Sequence, residues 1–218
     1  MTLTDRFGRV HRDLRISLTD HCNLRCTYCM PPEGVPWLPR TTLLTPEELM
    51  RIVRIAVGEG IEEVRLTGGE PLLRPDCVDV VAAIASVEPR PEISITTNGI
   101  GLARLAEPLK RAGLARVNVS LDTLKPDRFH QLTRRNRLAD VLAGIAAADA
   151  AGLHPVKLNA LQLRGINDDE APDLLAFAMD HGYELRFIEQ MPLDAGHTWR
   201  RDSMVTAAET MARLGEHF

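Results

Sequence analysis

The sequence lacks any apolar run long enough to cross a bilayer, and its opening residues, MTLTDRFGRVHRD, contain no apolar stretch typical of a signal peptide. It also lacks a basic excess, since 26 lysines and arginines stand against 30 aspartates and glutamates, for a net charge of −4. This balance argues against a dedicated nucleic-acid or membrane surface. We therefore expect a protein of the reducing cytoplasm that has neither nucleic acid nor membrane as a partner.

Cysteine is scarce too, with four residues in 218, yet three of them lie within eight positions. Cys22, Cys26 and Cys29 form the pattern CxxxCxxC, and Cys77 follows far downstream. In a reducing compartment, clustered thiols are more often metal ligands or catalytic groups than disulfides. Soft thiolates at this density suit zinc or an iron–sulfur cluster.

The two metal interpretations differ in the number of ligands that they need. A structural zinc ion needs a fourth ligand, either His21, which adjoins Cys22 and is poorly placed to reach the same ion, or Cys77. Cys77 stands at the start of a predicted helix and is interpreted as a small core residue. Three thiolates suit a 4Fe–4S cluster in which one iron stays open for another molecule.

The rest of the chain alternates short β-rich segments with longer helical patterns, which is typical of βα units and a parallel sheet. The predicted strands cover 14–18, 63–68, 92–98, 116–122, 156–163 and 184–189. The predicted helices cover 46–59, 76–87, 102–112, 138–151 and 170–181, with one more beginning near Thr206. Thr45 and Glu48 predict a capping box for the first helix, and residues 167–170 (NDDE) predict the same for the fifth.

Each predicted strand alternates polar and apolar residues, whereas strands covered by helices on both faces are continuously apolar. The polar positions that share one face are Arg15, Ser17, Arg65, Thr67, Ser94, Thr96, Asn98, Asn118, Ser120, Asp122, Lys157, Asn159 and Arg186. An antiparallel sheet with one wet face would give the same alternation, but the intervening helices disfavour it. We predict an α/β fold, an incomplete parallel (β/α)6 TIM-like barrel whose polar lumen binds a ligand near the C-terminal ends of the strands.

Four of the predicted lumen residues are cations, namely Arg15, Arg65, Lys157 and Arg186. Unpaired cations are costly to bury, and Glu189 and Asp122 are the carboxylates that we expect to neutralise some of them. Two interpretations remain open. The cations brace the barrel through ion pairs, or they bind an anionic substrate, most naturally a polyphosphate or a carboxylate.

The cysteine motif and a glycine-rich turn together resemble the radical S-adenosylmethionine (SAM) superfamily. That superfamily has CxxxCxxC after the first strand of a partial barrel, with an aromatic residue, here Tyr28, before the last cysteine. It also has a glycine-rich turn after the second strand, matched here by TGGEP at 67–71. Taken alone, GGEP is equally typical of a plain strand-to-helix turn. The resemblance implies the radical SAM type of partial barrel, a 4Fe–4S cluster on Cys22, Cys26 and Cys29, and SAM as a cofactor.

Over roughly residues 5 to 195 the chain further resembles the GTP 3′,8-cyclases, which begin molybdenum-cofactor biosynthesis. The motifs are LRISLTDHCNLRCTYCMPPEG, VRLTGGEPLLRPD, ITTNG, VNVSLDTL, VKLN and LRFIEQMP. The resemblance implies SAM contacts from Tyr28, Gly69, Ser120 and Met191, and GTP contacts from Arg15, Arg65, Thr96 and Lys157. It also implies reductive cleavage of SAM, abstraction of the 3′ hydrogen of GTP and closure onto guanine C8, which gives (8S)-3′,8-cyclo-7,8-dihydroguanosine 5′-triphosphate.

Several of these contact residues have an ordinary alternative: Thr96 as a strand threonine, Ser120 as a satisfied lumen hydroxyl and Met191 as a core gap-filler. The same resemblance implies GTP as substrate, a reductant such as flavodoxin or ferredoxin, cyclic pyranopterin monophosphate synthase as the next enzyme, and a homodimer as one candidate assembly.

The family carries a second iron–sulfur cluster, held by three further cysteines around an arginine-rich segment that binds guanine. No cysteine follows Cys77 here, and the family's C-terminal glycine pair is absent. We therefore expect residues 1–195 to be a radical SAM core and 196–218 to be the start of a shortened C-terminal extension. Three alternatives remain open: an inactive fragment, a radical SAM enzyme with another anionic substrate, or a non-catalytic iron–sulfur or SAM-binding module.

Overall fold

Six parallel strands form a single sheet in the computed structural model, which describes residues 3–194, 197 and 199–218. The strands lie in sequence order, each hydrogen-bonded to the next. Their bounds are β1 Asp13–Ser17, β2 Glu63–Thr67, β3 Glu92–Thr97, β4 Arg116–Ser120, β5 Val156–Leu161 and β6 Glu184–Ile188. All six predicted strands are thus confirmed, each ending one or two residues earlier than predicted.

Seven α-helices connect and extend the sheet within the described residues. They are α1 Pro46–Gly58, α2 Cys77–Ala85, α3 Leu102–Ala112, α4 Pro126–Thr133, α5 Leu138–Ala150, α6 Ala171–His181 and α7 Ala207–Gly215. Short 3-10 helices cover Arg40–Thr42, Pro71–Leu73, Asp168–Glu170 and Arg201–Ser203. The five predicted helices and the one beginning near Thr206 are confirmed, whereas α4 was not predicted.

The helix starts bear out one capping prediction and contradict another. Thr45 and Glu48 form the predicted capping box of α1, and Thr206 forms an equivalent box with Glu209 on α7. The prediction for residues 167–170 is wrong, because the helix α6 begins only at Ala171 and no side chain caps it. Asn167 instead accepts a hydrogen bond from the Leu163 amide and donates to two backbone carbonyls, so its side chain is used to fix the loop after β5.

The two faces of the sheet differ as the alternation predicted. One face is apolar and packs under the helices, with Val64, Leu66, Ile95, Val119 and Leu158 fully buried. The opposite face carries the predicted polar positions, and the parallel register aligns them across strands: Arg15 with Arg65, Thr96 with Asn118, and Ser120 with Asn159. The (β/α)6 architecture with a polar lumen is therefore confirmed.

The C-terminal helix α7 packs against α6 and β6 and is tied to the loop that follows β5. Thr210 donates to Gln162 at 2.7 Å, Arg164 pairs with Glu209 at 2.8 Å, and Arg213 donates to the Asp168 carbonyl. The predicted domain boundary, between residues 195 and 196, lies outside the described residues. Within the described part of the chain, no helix has the length and apolarity needed to span a membrane.

Candidate functional site

The three clustered cysteines lie in the loop that follows β1, at the C-terminal edge of the sheet. Cys22 and Cys26 are half-buried and Cys29 is exposed, and none of them forms a disulfide. Burial raises the pKa of all three thiols and, with the neighbouring Asp122, takes that of Cys26 to about 12. Thiolates at these positions therefore need a bound cation to stabilise them, which is the condition that a metal centre supplies.

The two residues considered as a fourth ligand for a zinc ion lie in other surroundings. Among the described residues, no His, Cys, Asp and Glu side chains form a preassembled metal site, a finding that bears equally on a zinc ion and on a cluster. Cys77 is 2% exposed in the core, as predicted, and His21 stacks on Trp37 with ring centroids 4.9 Å apart. Three thiolates without a fourth ligand fit an iron–sulfur cluster, in which each thiolate binds a different iron.

The glycine pair after β2 packs directly against the start of the cysteine loop. The Gly69 amide donates to the Thr19 carbonyl and the Glu70 amide to the His21 carbonyl, both at 2.7 Å. A Cβ on Gly69 would lie 2.3 Å from the carbonyl oxygens of Asp20 and His21, and one on Gly68 would lie 2.3 Å from the carbonyl oxygen of Thr19. Only glycine permits this approach, so the turn sets the position of the loop.

Glu70 completes the turn as the alternative interpretation of GGEP predicted, because its side chain caps the short 3-10 helix by accepting from the Leu72 amide at 3.0 Å. It also accepts from the Thr97 hydroxyl and the Asn98 amide, both at 2.7 Å. The residue is fully buried, and this burial raises its pKa to about 6 despite the three hydrogen bonds. Glu70 thus joins the ends of β2 and β3 beneath the cysteine loop.

The unpredicted helix α4 holds the other side of the loop. The amides of Arg25 and Thr27 donate to the carbonyls of Thr133 and Leu132 at 3.0 and 2.9 Å. Arg134 ends α4 in the left-handed conformation (φ 58°) and donates to the Arg25 carbonyl at 2.7 Å. The loop is therefore fixed by backbone contacts on both sides.

Tyr28, the aromatic residue of the cysteine motif, is tied to the end of β4. Its hydroxyl donates to Asp122 Oδ2 at 2.5 Å, and Asp122 Oδ1 accepts from the Leu161 amide at 2.9 Å. Burial raises the pKa of Asp122 to about 6 even though both hydrogen bonds lower it. The prediction that Asp122 neutralises a lumen cation is wrong, because its two oxygens are occupied by these uncharged donors.

The lumen cations are paired mainly by carboxylates at the first residues of the strands. Glu63 accepts from Arg65 at 2.7 Å and from the unpredicted Arg116, which also pairs with Glu92 at 2.7 Å. Burial raises the Glu63 pKa, but hydrogen bonds from Arg65 and Ser94 and the charge of Arg116 outweigh it and hold the pKa at about 2. Arg65 therefore forms an ion pair of the kind that the first of the two interpretations predicted.

The remaining cations differ in how firmly they are held. Lys157 pairs with Glu184 at 2.7 Å, and Arg186 lies 3.7 Å from the same carboxylate. Among the described residues, no carboxylate lies within 4.0 Å of the exposed Arg15 side chain, so its charge is available to a ligand. The prediction that Glu189 pairs with a lumen cation is wrong, since Glu189 accepts from the Ala207 amide at 2.6 Å at the start of α7.

An incompletely bonded amide lies among the lumen residues. Asn118 is 2% exposed and donates to Thr96 at 3.4 Å, but its Oδ1 has no hydrogen-bond partner within the described part of the chain. A buried acceptor without a donor is costly, which favours a polar ligand at this point of the lumen. Ser120 lies half-buried at the end of β4, and Met191, 55% exposed, follows β6 and does not fill the core.

A sequence profile described as the radical SAM superfamily matches residues 16–178, which include the cysteine loop, the glycine turn, the end of β1 and all of β2 to β5. The chain belongs to this superfamily. Membership implies a 4Fe–4S cluster and SAM as cofactors. The predicted fold type agrees with a solved structure, Streptococcus suis SuiB bound to S-adenosylmethionine, at TM-score 0.71 and 20% identity over 94% of this chain and 46% of that one.

Two curated relatives resemble the chain far more closely in sequence. The GTP 3′,8-cyclase of Streptomyces coelicolor is 63% identical over 99% of this chain and 64% of its own length. That of Paenarthrobacter nicotinovorans is 59% identical over 99% of this chain and 61% of its own length. The chain thus spans somewhat more than three-fifths of the length of these relatives.

Proposed function

We propose that the chain is the radical SAM part of a GTP 3′,8-cyclase, which converts GTP to (8S)-3′,8-cyclo-7,8-dihydroguanosine 5′-triphosphate in the first step of molybdenum-cofactor biosynthesis. The observation that carries the proposal is the 63% identity to a GTP 3′,8-cyclase along 99% of this chain. A cysteine loop at the strand ends, beside a lumen that bears cations, supports it from the structure.

Cys22, Cys26 and Cys29 are the residues proposed to hold the 4Fe–4S cluster. When bound, the cluster supplies an electron and an open iron, and with SAM it generates the 5′-deoxyadenosyl radical. The contribution of this chain is to fix the loop between the glycine turn and α4, so that the three thiols keep their mutual positions.

Tyr28, Gly69, Ser120 and Met191 are proposed as the SAM contacts. Gly69 is already in contact with the cysteine loop, and Ser120 lies at the end of β4, paired in register with Asn159. Since the Tyr28 hydroxyl is bonded to Asp122, its ring and backbone are the parts that remain for a ligand. The exposed Met191 side chain is free to cover an apolar part of SAM.

Arg15, Arg65, Thr96 and Lys157 are proposed to bind GTP, mainly through its phosphates. Among the described residues no ion pair within 4.0 Å holds Arg15, although the charge of Asp13 is near enough to interact with it, so Arg15 can meet a phosphate without first breaking an ion pair. Arg65 is held by Glu63 and Lys157 by Glu184, so both cationic groups have a fixed position in which to meet the substrate. The unpaired Oδ1 of Asn118, beside Thr96, is an additional acceptor for a hydroxyl or amine of the substrate.

The wider setting follows from the same proposal. Residues 1–195 would be the radical SAM core and 196–218 the start of the C-terminal extension, although the contacts of α7 with Gln162 and Arg164 tie the latter closely to the core. We further propose a cytoplasmic enzyme that receives electrons from a flavodoxin or ferredoxin and passes its product to cyclic pyranopterin monophosphate synthase. A homodimer is part of this proposal.

Anaerobic cluster reconstitution tests the proposal most directly. The reconstituted chain is reduced with dithionite in the presence of SAM, with and without GTP, and 5′-deoxyadenosine is followed by chromatography. We expect 5′-deoxyadenosine from the wild type and from Cys77→Ala, and none from Cys26→Ala. The Cys77 variant is the matched control because it removes a thiol that lies outside the loop.

The dependence of 5′-deoxyadenosine formation on GTP tests the proposed substrate separately from the cleavage of SAM. Faster formation of 5′-deoxyadenosine with GTP than with guanosine would support a phosphate site in the lumen. If iron and sulfide are bound and no 5′-deoxyadenosine forms, the chain is a cluster-binding module or an inactive fragment, and the cyclase proposal is wrong. If another anionic nucleotide stimulates more strongly than GTP, the substrate assignment is wrong.

A further inference from the structure

A group of arginines lies against the backbone of the cysteine loop. The Arg25 guanidinium donates through Nη1 to the carbonyls of Cys22 and Leu24, both at 2.8 Å. The Arg134 guanidinium donates through Nη1 to the Arg25 carbonyl at 2.7 Å and to the Met30 carbonyl at 3.4 Å. Three of these four carbonyls belong to a cysteine of the motif or to its direct neighbour in sequence, so both positive charges lie next to the proposed metal centre.

The group continues onto the exposed surface that follows α4. Arg135 is exposed, and its Nη1 donates to the Arg134 carbonyl at 2.8 Å. Cys29 is exposed as well, so the cysteine loop itself reaches the protein surface. We call Arg25, Arg134 and Arg135 the arginine surface.

The positive charges of the arginine surface are not neutralised within the described part of the chain. No ion pair within 4.0 Å holds any of its three members there, and the hydrogen bonds of their side chains go to carbonyls, each through Nη1. A guanidinium has five N–H groups, so most donors on each arginine remain for a partner. The carboxylates nearest to Arg135 in sequence lie elsewhere, since Asp127 is in the first turn of α4 and Asp140 pairs with Arg137.

This surface contrasts with the chain as a whole, which has a net charge of −4. An acidic protein is repelled by the overall charge and attracted at the arginine surface, so it is oriented towards the cysteine loop as it approaches. Under the proposed function, reductive cleavage of SAM consumes an electron, and the donor of this electron must come close to the same loop. A small acidic electron-transfer protein meets both conditions.

We propose that the arginine surface is the docking site of a small acidic electron-transfer protein, whose carboxylates pair with the guanidinium groups while it passes one electron to the cluster. The inference rests on the proposed function, because a cluster on the cysteine loop is the electron acceptor. The donor is oxidised by one electron and the cluster is reduced by one, so no further reactant is needed. Arg25 and Arg134 also hold the loop, whereas the Arg135 side chain makes no bond to it, so Arg135 is the member to change.

The experiment uses the reconstituted chain, with a purified flavodoxin as the probe. Isothermal titration calorimetry measures the binding of oxidised flavodoxin, and 5′-deoxyadenosine formation measures electron delivery from flavodoxin that NADPH and its reductase keep reduced. We expect Arg135→Glu to weaken binding about tenfold at low ionic strength and only about twofold in about 0.5 M salt, because salt screens surface charges. Formation of 5′-deoxyadenosine should slow similarly at subsaturating flavodoxin and stay unchanged with dithionite, which bypasses the docking step.

Arg104→Glu is the matched control, because it makes the same change of charge at an exposed position of α3. It should alter flavodoxin binding by less than about twofold. Thermal unfolding checks that each variant folds. If Arg135→Glu does not fold, Arg135→Ala replaces it and should weaken binding about threefold, since it removes one charge instead of reversing it.

Each other result overturns the inference. Equal affinity of wild type and Arg135→Glu for flavodoxin would remove the arginine surface from the contact. An equal loss in Arg104→Glu would assign the effect to net charge. A wild type that binds no flavodoxin at low ionic strength, yet forms 5′-deoxyadenosine with dithionite, would refute the docking site and leave the proposed function standing. A chain that takes up no iron and sulfide would refute the proposed function, and the inference with it.

Discussion

Gly69→Ala is the most direct perturbation of the contact that holds the cysteine loop. The added Cβ would lie 2.3 Å from two backbone carbonyl oxygens, those of Asp20 and His21. An ordinary contact needs at least 3.4 Å, so the turn and the loop must separate by about 1 Å. Both partners are backbone atoms, so no side-chain rotation relieves the clash.

The cost of this separation follows from the two hydrogen bonds that join the segments. The Gly69 and Glu70 amides each donate at 2.7 Å to the loop, and a typical bond of this kind contributes about 1 kcal/mol. Leaving the two amide donors unpaired increases the destabilisation by roughly another 1–2 kcal/mol. The lower conformational entropy of alanine in the unfolded chain offsets about 0.5 kcal/mol of this loss. We therefore expect a loss of about 3 kcal/mol, or roughly 6–12 °C in Tm for a domain of this size.

Gly58→Ala is the matched control. Gly58 ends α1, and a Cβ added there would have no heavy atom within 4 Å, so the same substitution should be neutral or stabilise by up to about 1 kcal/mol. Thermal unfolding followed by circular dichroism measures both variants, and iron and sulfide content after reconstitution tests the loop. A Gly69→Ala chain with the Tm of the wild type and the same iron content after reconstitution would refute this reasoning.

Three further changes test the buried carboxylate, the ion pairs and the free cation. Burial raises the Glu70 pKa from 4.5 to about 6, so the folded chain holds this proton more tightly than the unfolded chain does. The free energy of unfolding should therefore fall by about 2 kcal/mol as pH rises through this range. Glu70→Gln should remove that part of the pH dependence in urea titrations. Arg116→Met breaks a largely buried ion pair with Glu63 and should lower the free energy of unfolding by about 3 kcal/mol. Arg12→Met is the control, because its pair with Glu62 is more than 60% exposed and should contribute less than about 1 kcal/mol. Equal losses of the two variants in chemical denaturation would contradict this. Arg15→Ala should weaken GTP binding about tenfold in equilibrium dialysis, with Arg104→Ala on the outer layer unchanged, and equal affinities would remove Arg15 from the phosphate site.

The strands and their polar face were predictable because both depend on local pattern. Period-two alternation specifies which residues share a face, and the same period holds in every strand from Arg15 to Arg186. The glycine turn was predicted from the sequence, but its contact with the cysteine loop was not. Its physical basis, the 2.3 Å approach at Gly69, depends on how β1 and β2 are paired.

The carboxylates that pair with the lumen cations were missed although their signal is present in the sequence. Glu63 precedes Arg65 by two positions, and Glu184 precedes Arg186 in the same way, so the period that predicted the cations also places these acids on the lumen face. Arg116 is different, because its pairing with Glu63 requires the register of three strands. Alternation along one strand cannot supply that register.

The helix α4 was missed for a local reason. It has eight residues, no side-chain cap at its start, and a left-handed arginine at its end where glycine is the usual signal. Its amino-terminal Pro126 is compatible with either a turn or a helix start. The strain at Arg134 is offset by the hydrogen bond to the Arg25 carbonyl, a contact that sequence alone does not reveal.

The contacts that hold the cysteine loop come from β2, α4 and the end of β4, all within the described part of this chain. The proposed GTP contacts likewise lie within this part of the chain, on β1, β2, β3 and β5. Under the proposed function, cleavage of SAM depends on these contacts of the cysteine loop, whereas closure of the ring also requires guanine to be held at a fixed distance from the ribose, so the two reactions should be separable by experiment.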